Sequence, residues 1–122
     1  MTPLRAVIVD DEAPARERLA SLLSVHAEIE VVGEAPDVEP GVELCSRVQP
    51  DIVFLDVQLR TGTGFDLLAR LEGSPIVVMV SAYGEHAARA TSVKAFDFLL
   101  KPVNPQQLAR TIARAVSTRS NS

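Results

Sequence analysis

The chain has 122 residues, with 12 Lys and Arg against 16 Asp and Glu for a formal charge of −4, and one cysteine. That length holds a single domain with one core, and the mildly acidic balance gives no general attraction to nucleic acid or to an anionic membrane. Cys45 alone excludes an internal disulfide and metal sites built on thiolates, and with no signal peptide at Met1-Thr2-Pro3-Leu4-Arg5 and no run of membrane-spanning length a cytoplasmic location is expected.

Leu4 to Val9 carries the apolar run Ala6-Val7-Ile8-Val9 and stops at Asp10-Asp11-Glu12, which predicts a strand running into an acidic loop. Pro14 suits the first turn of a helix, where its missing N–H costs nothing. Ala15, Leu19, Leu22 and Leu23 then follow at helical spacing, between charged residues, so this helix lays one apolar face on a sheet. Ile29 to Ala35 is a second, more polar strand, expected at an edge. A second helix over Val38 to Val48 carries Cys45 on a face shared with Val38, Val42 and Val48, and ends before Pro50. That setting makes Cys45 a small core residue.

Ile52-Val53-Phe54-Leu55 is a third strand, buried on both faces and ending in Asp56. A flexible loop, Gln58 to Gly64, leads to a short helix marked by Phe65, Leu68 and Leu71 and ending at Gly73. Ile76 to Val80 is a fourth buried strand, stopped by Ser81. From Glu85 to Val93 only Ala87, Ala88, Ala90 and Val93 are apolar, which predicts a weakly anchored helix. Phe96 to Leu100 is the fifth strand, ending at Lys101-Pro102, and Leu108, Ile112 and Val116 define a last helix after Pro105. His26 and His86 lack partners at metal-ligand spacing and are expected at the surface.

Five strands alternating with five helices imply right-handed crossovers and a doubly wound α/β fold, a parallel sheet covered on both faces. One domain is expected over residues 1–117, with Thr118 to Ser122 a polar tail or the start of a linker.

In such a sheet the carboxyl ends of the strands open onto the crevice where ligands bind. The residues that end these strands are Asp10 and Asp11, Asp56, Ser81 and Lys101, and all are expected to point into that crevice. Three carboxylates repel one another unless a cation sits among them, and a small hard divalent ion, magnesium, suits one or two carboxylates plus waters. Lys101 adds an ammonium and Ser81 a hydroxyl donor. A carboxylate nucleophile so surrounded is a site for accepting a phosphoryl group as an aspartyl phosphate. A phosphatase of the haloacid dehalogenase type needs a second Asp two residues on, where this chain has Gln58, and a dinucleotide site needs a Gly-rich turn after the first strand, where this chain has acids.

With these residues in view, the chain resembles a response-regulator receiver domain over nearly its whole length. Asp10-Asp11, Asp56, Ser81-Ala82 and Lys101-Pro102 each fall at that family's motif positions. The resemblance implies a flavodoxin- and CheY-like sheet of order 2-1-3-4-5, with Asp56 as phospho-acceptor, Asp11 as a direct magnesium ligand and Asp10 acting partly through water. It adds the backbone carbonyl of Gln58 as a metal ligand, Ser81 and Lys101 as contacts to the phosphoryl oxygens, a cis bond before Pro102, and Phe98 as a switch aromatic moving with Ser81. A sensor histidine kinase is the implied phosphodonor, and the domain catalyses only its own phosphoryl transfer and loss, so it is not an enzyme acting on other substrates. Gln58 and Tyr83 are expected to flank the path of attacking water and to set the lifetime of the phosphoryl group.

The stretches Asp-Glu-Ala-Pro-Ala-Arg-Glu-Arg-Leu from Asp11, Ser-Ala-Tyr from Ser81, and Ala-Phe-Asp-Phe-Leu-Leu-Lys-Pro from Ala95 look like receivers of the LytTR type, whose DNA-binding domain follows the receiver. Such a regulator touches DNA only through that separate domain and is expected to dimerise through helix four, strand five and helix five, with Arg110 and Arg114 in rim ion pairs. The alternative is a stand-alone receiver serving as a phosphorelay carrier or interaction switch. Arg60-Thr61, in the loop after Asp56, departs from the Pro and Gly that the family often has there.

Overall fold

A computed structural model describes residues 2–120. The elements, in chain order, are β1 (Leu4–Val9), α1 (Ala13–Leu23), β2 (Ile29–Ala35), α2 (Val38–Val48), β3 (Ile52–Asp56), α3 (Gly64–Ala69), β4 (Ile76–Ser81), α4 (His86–Ser92), β5 (Asp97–Leu100) and α5 (Pro105–Ser120). The five strands form one sheet in the order β2-β1-β3-β4-β5, with every pairing parallel. The expected alternation and strand order are therefore both present.

Side chains alternate across a strand, so each strand feeds two cores. Ile8, Ile52, Phe54, Val78 and Leu99 pack with Leu19, Leu23, Leu108 and Ile112, which places α1 and α5 on one face. Val7, Val9, Val53, Leu55 and Met79 pack with Val38, Leu44, Cys45, Phe65, Leu67 and Ala90, which places α2, α3 and α4 on the other. Every residue of β3 is buried, whereas most of β2 is exposed or half-exposed, in keeping with its place at the edge. Cys45 is in the core, where burial pushes its thiol up to about 11.

Several element ends differ from expectation. α3 stops at Ala69, short of Gly73, because its last amides turn back over three residues, Arg70 to Leu67 and Leu71 to Leu68, and the turn unwinds there. β5 begins at Asp97. Helix α5 continues through Thr118 and Arg119 to Ser120, and the Arg119 guanidinium lies 3.0 Å from the Asp51 carboxylate, so these residues belong to the folded body and not to a tail. The remainder of the expected tail, Asn121 and Ser122, lies outside the described residues. Among the described residues no helix is long and apolar enough to cross a membrane.

Candidate phosphoryl-acceptor site

Strand register builds the site. Val9 pairs with Leu55, so Asp10 and Asp56 leave the sheet side by side, and Ser81 pairs with Leu100, which puts Lys101 one step beyond. Carboxylate oxygens of Asp10, Asp11 and Asp56 all lie within 4.8 Å of one another. Asp10 and Asp56 are 5% and 6% exposed, Asp11 more so.

Lys101 bridges the buried pair, its Nζ donating to Asp10 Oδ2 at 2.8 Å and to Asp56 Oδ2 at 3.1 Å. The peptide bond from Lys101 to Pro102 is cis. The remaining oxygens accept backbone amides, Asp10 Oδ1 from Glu12 at 2.9 Å and Asp56 Oδ1 from Gln58 at 3.3 Å. Burial first, then the neighbouring Asp10 charge, push the Asp56 carboxyl up to about 6 against the pull of Lys101. Burial lowers the Lys101 ammonium, but its bond to Asp10 and the two carboxylate charges outweigh it and the net shift is upward.

With one ammonium against three carboxylates, the cluster keeps a negative excess held entirely on hard oxygen donors. That set fits a small divalent cation that retains several waters, such as magnesium. Asp10, Asp11 and Asp56 are the residues that would hold it, with the Gln58 carbonyl. Gln58 faces Thr63 in a narrow antiparallel pair flanked by the bonds Gly64 N–H to Val57 and Leu59 N–H to Gly62. In such a pair a residue's own N–H and C=O point away from its partner.

The loop after Asp56 is a tight turn with Arg60 and Thr61 exposed at its tip. The Thr61 amide donates to Asp37, the N-terminal cap of α2, at 3.1 Å, which ties the tip to the body. Neither tip residue lines the crevice above Asp56, a cavity of about 490 Å³ whose walls include Asp11, Asp56, Gln58, Thr63, Ala82, Tyr83 and Lys101. Thr63 and Asp66 exchange capping bonds at the start of α3. Gly64 packs so close that a Cβ there would run into the Asp56 carbonyl oxygen. Phe98 is half-buried on β5 beside Met79 and packs against the α2–α3–α4 core.

Ser81 departs from expectation. Its side chain is 1% exposed and lines no part of the crevice above Asp56. The hydroxyl is turned instead toward α4, accepting the Tyr83 amide at 3.0 Å and lying 2.7 Å from His86 Nδ1. His86 is thus a half-buried partner of a buried hydroxyl, not the isolated surface residue expected, and its ring meets that of Tyr83 edge-on at 5.9 Å. The only sequence signal for it was a Ser five residues before a His across a strand-to-helix turn, a spacing with no general meaning. Arg114, expected at an interface rim, is committed within the chain to Asp97 at 3.0 Å and lies over the Phe96 ring.

A family model described as the response regulator receiver domain matches residues 6–113. The chain is 37% identical to the transcriptional regulatory protein BtsR of Escherichia coli over 96% of its own length and 50% of that protein's. It is 38% identical to the sensory transduction protein LytT of Bacillus cereus, over 91% of this chain and 46% of that one. The chain spans about half the length of the curated relatives it matches. Among solved structures, the receiver domain of AraT, a response regulator from Geobacillus stearothermophilus, superposes with a TM-score of 0.86 at 29% identity, covering 97% of this chain and 96% of that one.

Proposed function

The chain belongs to the response-regulator receiver family, and on that footing we propose that Asp56 accepts a phosphoryl group from a sensor histidine kinase. The observation that carries the reading is the pairing of a buried, strand-ending carboxylate with two more carboxylates inside 4.8 Å and a bridging lysine. An Asp56 carboxylate oxygen forms the new bond to phosphorus as the donor's phosphorus–nitrogen bond breaks, and the leaving imidazole nitrogen keeps the electron pair and takes a proton. Magnesium, when bound, neutralises charge on the transferring phosphoryl oxygens. Lys101 stands ready to give one of its two hydrogen bonds to a phosphoryl oxygen, since its ammonium reaches both buried carboxylates. Asp10 and Asp11 hold the negative charge that keeps cation and lysine in place.

Intact mass after incubation with magnesium and acetyl phosphate tests this. One phosphoryl group is expected on the natural chain, none on Asp56→Asn and none when the metal is chelated; no addition to the natural chain overturns the reading. Gln58 and Tyr83 both line the crevice, on opposite loops, which supports a role in admitting water. Followed in time, the same mass signal should decay at an altered rate, by about 3-fold or more on the scale of one ordinary hydrogen bond, in Gln58→Ala or Tyr83→Ala. Unchanged decay in both removes them from the mechanism.

The output is read from the relatives. BtsR is a transcriptional regulatory protein and the motifs resemble LytTR receivers, so the phosphorylated domain is proposed to control a DNA-binding domain elsewhere in a longer protein. DNA would then be touched by that domain and not by this one.

A further inference from the structure

The bond between Ser81 and His86 has no place in the phosphoryl chemistry above, and it occupies the hydroxyl that the receiver resemblance assigns to the phosphoryl oxygens. We infer that His86 is a positioning residue that latches the Ser81 hydroxyl away from Asp56 and ties the start of α4 to the unphosphorylated state. This rests on the proposed function together with the role the receiver resemblance gives Ser81, because a latch matters only if Ser81 must turn to a phosphoryl oxygen.

A hydroxyl carries one proton. Tyr83 already donates its amide to Ser81 Oγ, and among the described residues the hydroxyl proton has no acceptor other than His86 Nδ1, 2.7 Å away. This pairing assigns the ring the tautomer that accepts on Nδ1 and carries its proton on Nε2, an assignment made from the hydrogen-bond partners. With Ser81 1% exposed, water does not compete for that proton. Both partners lie on the chain leaving β4 toward α4, so the hydroxyl has nothing to give the crevice until the His86 bond opens.

The other end of the bond explains why opening it would spread. His86 is the first residue of α4, the residue before it provides no side-chain cap, and of the helix only Ala90 is buried. The hydrogen bond to Ser81 is thus one of few ties holding the first turn of α4 to the sheet. When Ser81 turns to a phosphoryl oxygen, His86 loses its partner and that turn is released. The site and the α4–β5 surface are coupled through one bond that cannot exist in both states.

The test compares the natural chain with His86→Ala and His86→Asn, measuring the rate of phosphorylation by acetyl phosphate with magnesium. Asn Oδ1 can stand where Nδ1 stands and accept the same proton. Loss of one hydrogen bond of ordinary net strength predicts about a 3- to 10-fold faster rate in His86→Ala, with His86→Asn returning to within about 2-fold of the natural chain on the same scale. An alanine rate equal to the natural one, or an asparagine rate equal to alanine's, overturns the latch while leaving the acceptor site intact. No phosphoryl addition to the natural chain overturns both the functional reading and the latch. A second readout needs no variant at position 86: the imidazole nitrogen resonances of labelled His86 should show Nδ1 losing its hydrogen bond on phosphorylation, and the same change in Ser81→Ala. A His86 signal unmoved by phosphorylation overturns the latch even if His86→Ala fails to fold.

Discussion

At the scale of single residues, Asp56 carries the conflict between chemistry and stability. Its carboxyl is raised to about 6 by burial and by Asp10, so the folded protein holds the Asp56 proton more tightly than the unfolded chain does. A raised carboxyl costs nothing below its unfolded value near 4 and costs its full amount above 6, so this contribution to stability is lost as pH rises through that window. Asp56→Asn carries no charge at any pH. In magnesium-free solution at pH 8 the variant should therefore be more stable by about 1 to 3 kcal/mol, a gain that fades to nothing near pH 4. Thermal unfolding of both proteins across that range checks it; a gain that does not depend on pH sinks the assignment. The same scale shows where reading from sequence stopped. Asp10, Asp56 and Lys101 were legible because each ends a strand, and register alone brings strand ends together. The direction of the Ser81 hydroxyl was not, because it is decided by a ring five residues on, beyond any periodicity.

At the scale of elements, the helices are unequally anchored. α5 spans 16 residues and buries Leu108, Thr111, Ile112 and Ala115. α4 has seven residues and buries Ala90, with Val93 at its end 39% exposed. The Ala-rich composition between Glu85 and Val93 announced this thinness, since alanine fits a helix well but brings little area to a core. Hydrogen exchange should find α4 amides opening about 100-fold or more faster than those of central α5, the range expected between fraying segments and core helices. Equal protection of the two helices would refute a loosely held α4. The end of α3 was less legible: Leu71 and Gly73 continue a helical pattern in sequence, but the capping box at Thr63 fixes where the helix starts, and its last turn tightens and unwinds after six residues.

At the scale of the whole molecule, the fold was almost entirely legible. Apolar runs of strand length alternating with amphipathic segments leave little choice but a parallel sheet with helices on both faces, and the strand order followed from the family resemblance. What lies on the outside is harder to foresee, because charged side chains find partners only once the fold exists. Arg114 is the example: a basic residue on the last helix, still largely exposed, pairs with Asp97 and lies over the Phe96 ring, and Arg110 is exposed as well. Leu100, 46% exposed on β5, and Val93 share the side of the molecule proposed to change on phosphorylation. Dimerisation through α4, β5 and α5 in the phosphorylated state is the expected consequence. Sedimentation with and without a beryllofluoride mimic of the phosphoryl group should show monomer turning to dimer, and monomer in both conditions would exclude this face as a dimer contact for the domain alone.

The fit of Gly64 against the Asp56 carbonyl has a mechanical meaning for the same crevice. On that side the backbone of Asp56 lies close against Gly64, leaving no space for a side chain there, and the capped start of α3 backs it. Across the crevice stand the loop after β4 and a helix that buries only Ala90 and is otherwise tied by the His86–Ser81 bond and by Arg89 over the Phe65 ring. A bulky group pushed into a slot with one hard wall and one soft wall displaces the soft one, so the direction in which this domain deforms is set before any partner arrives.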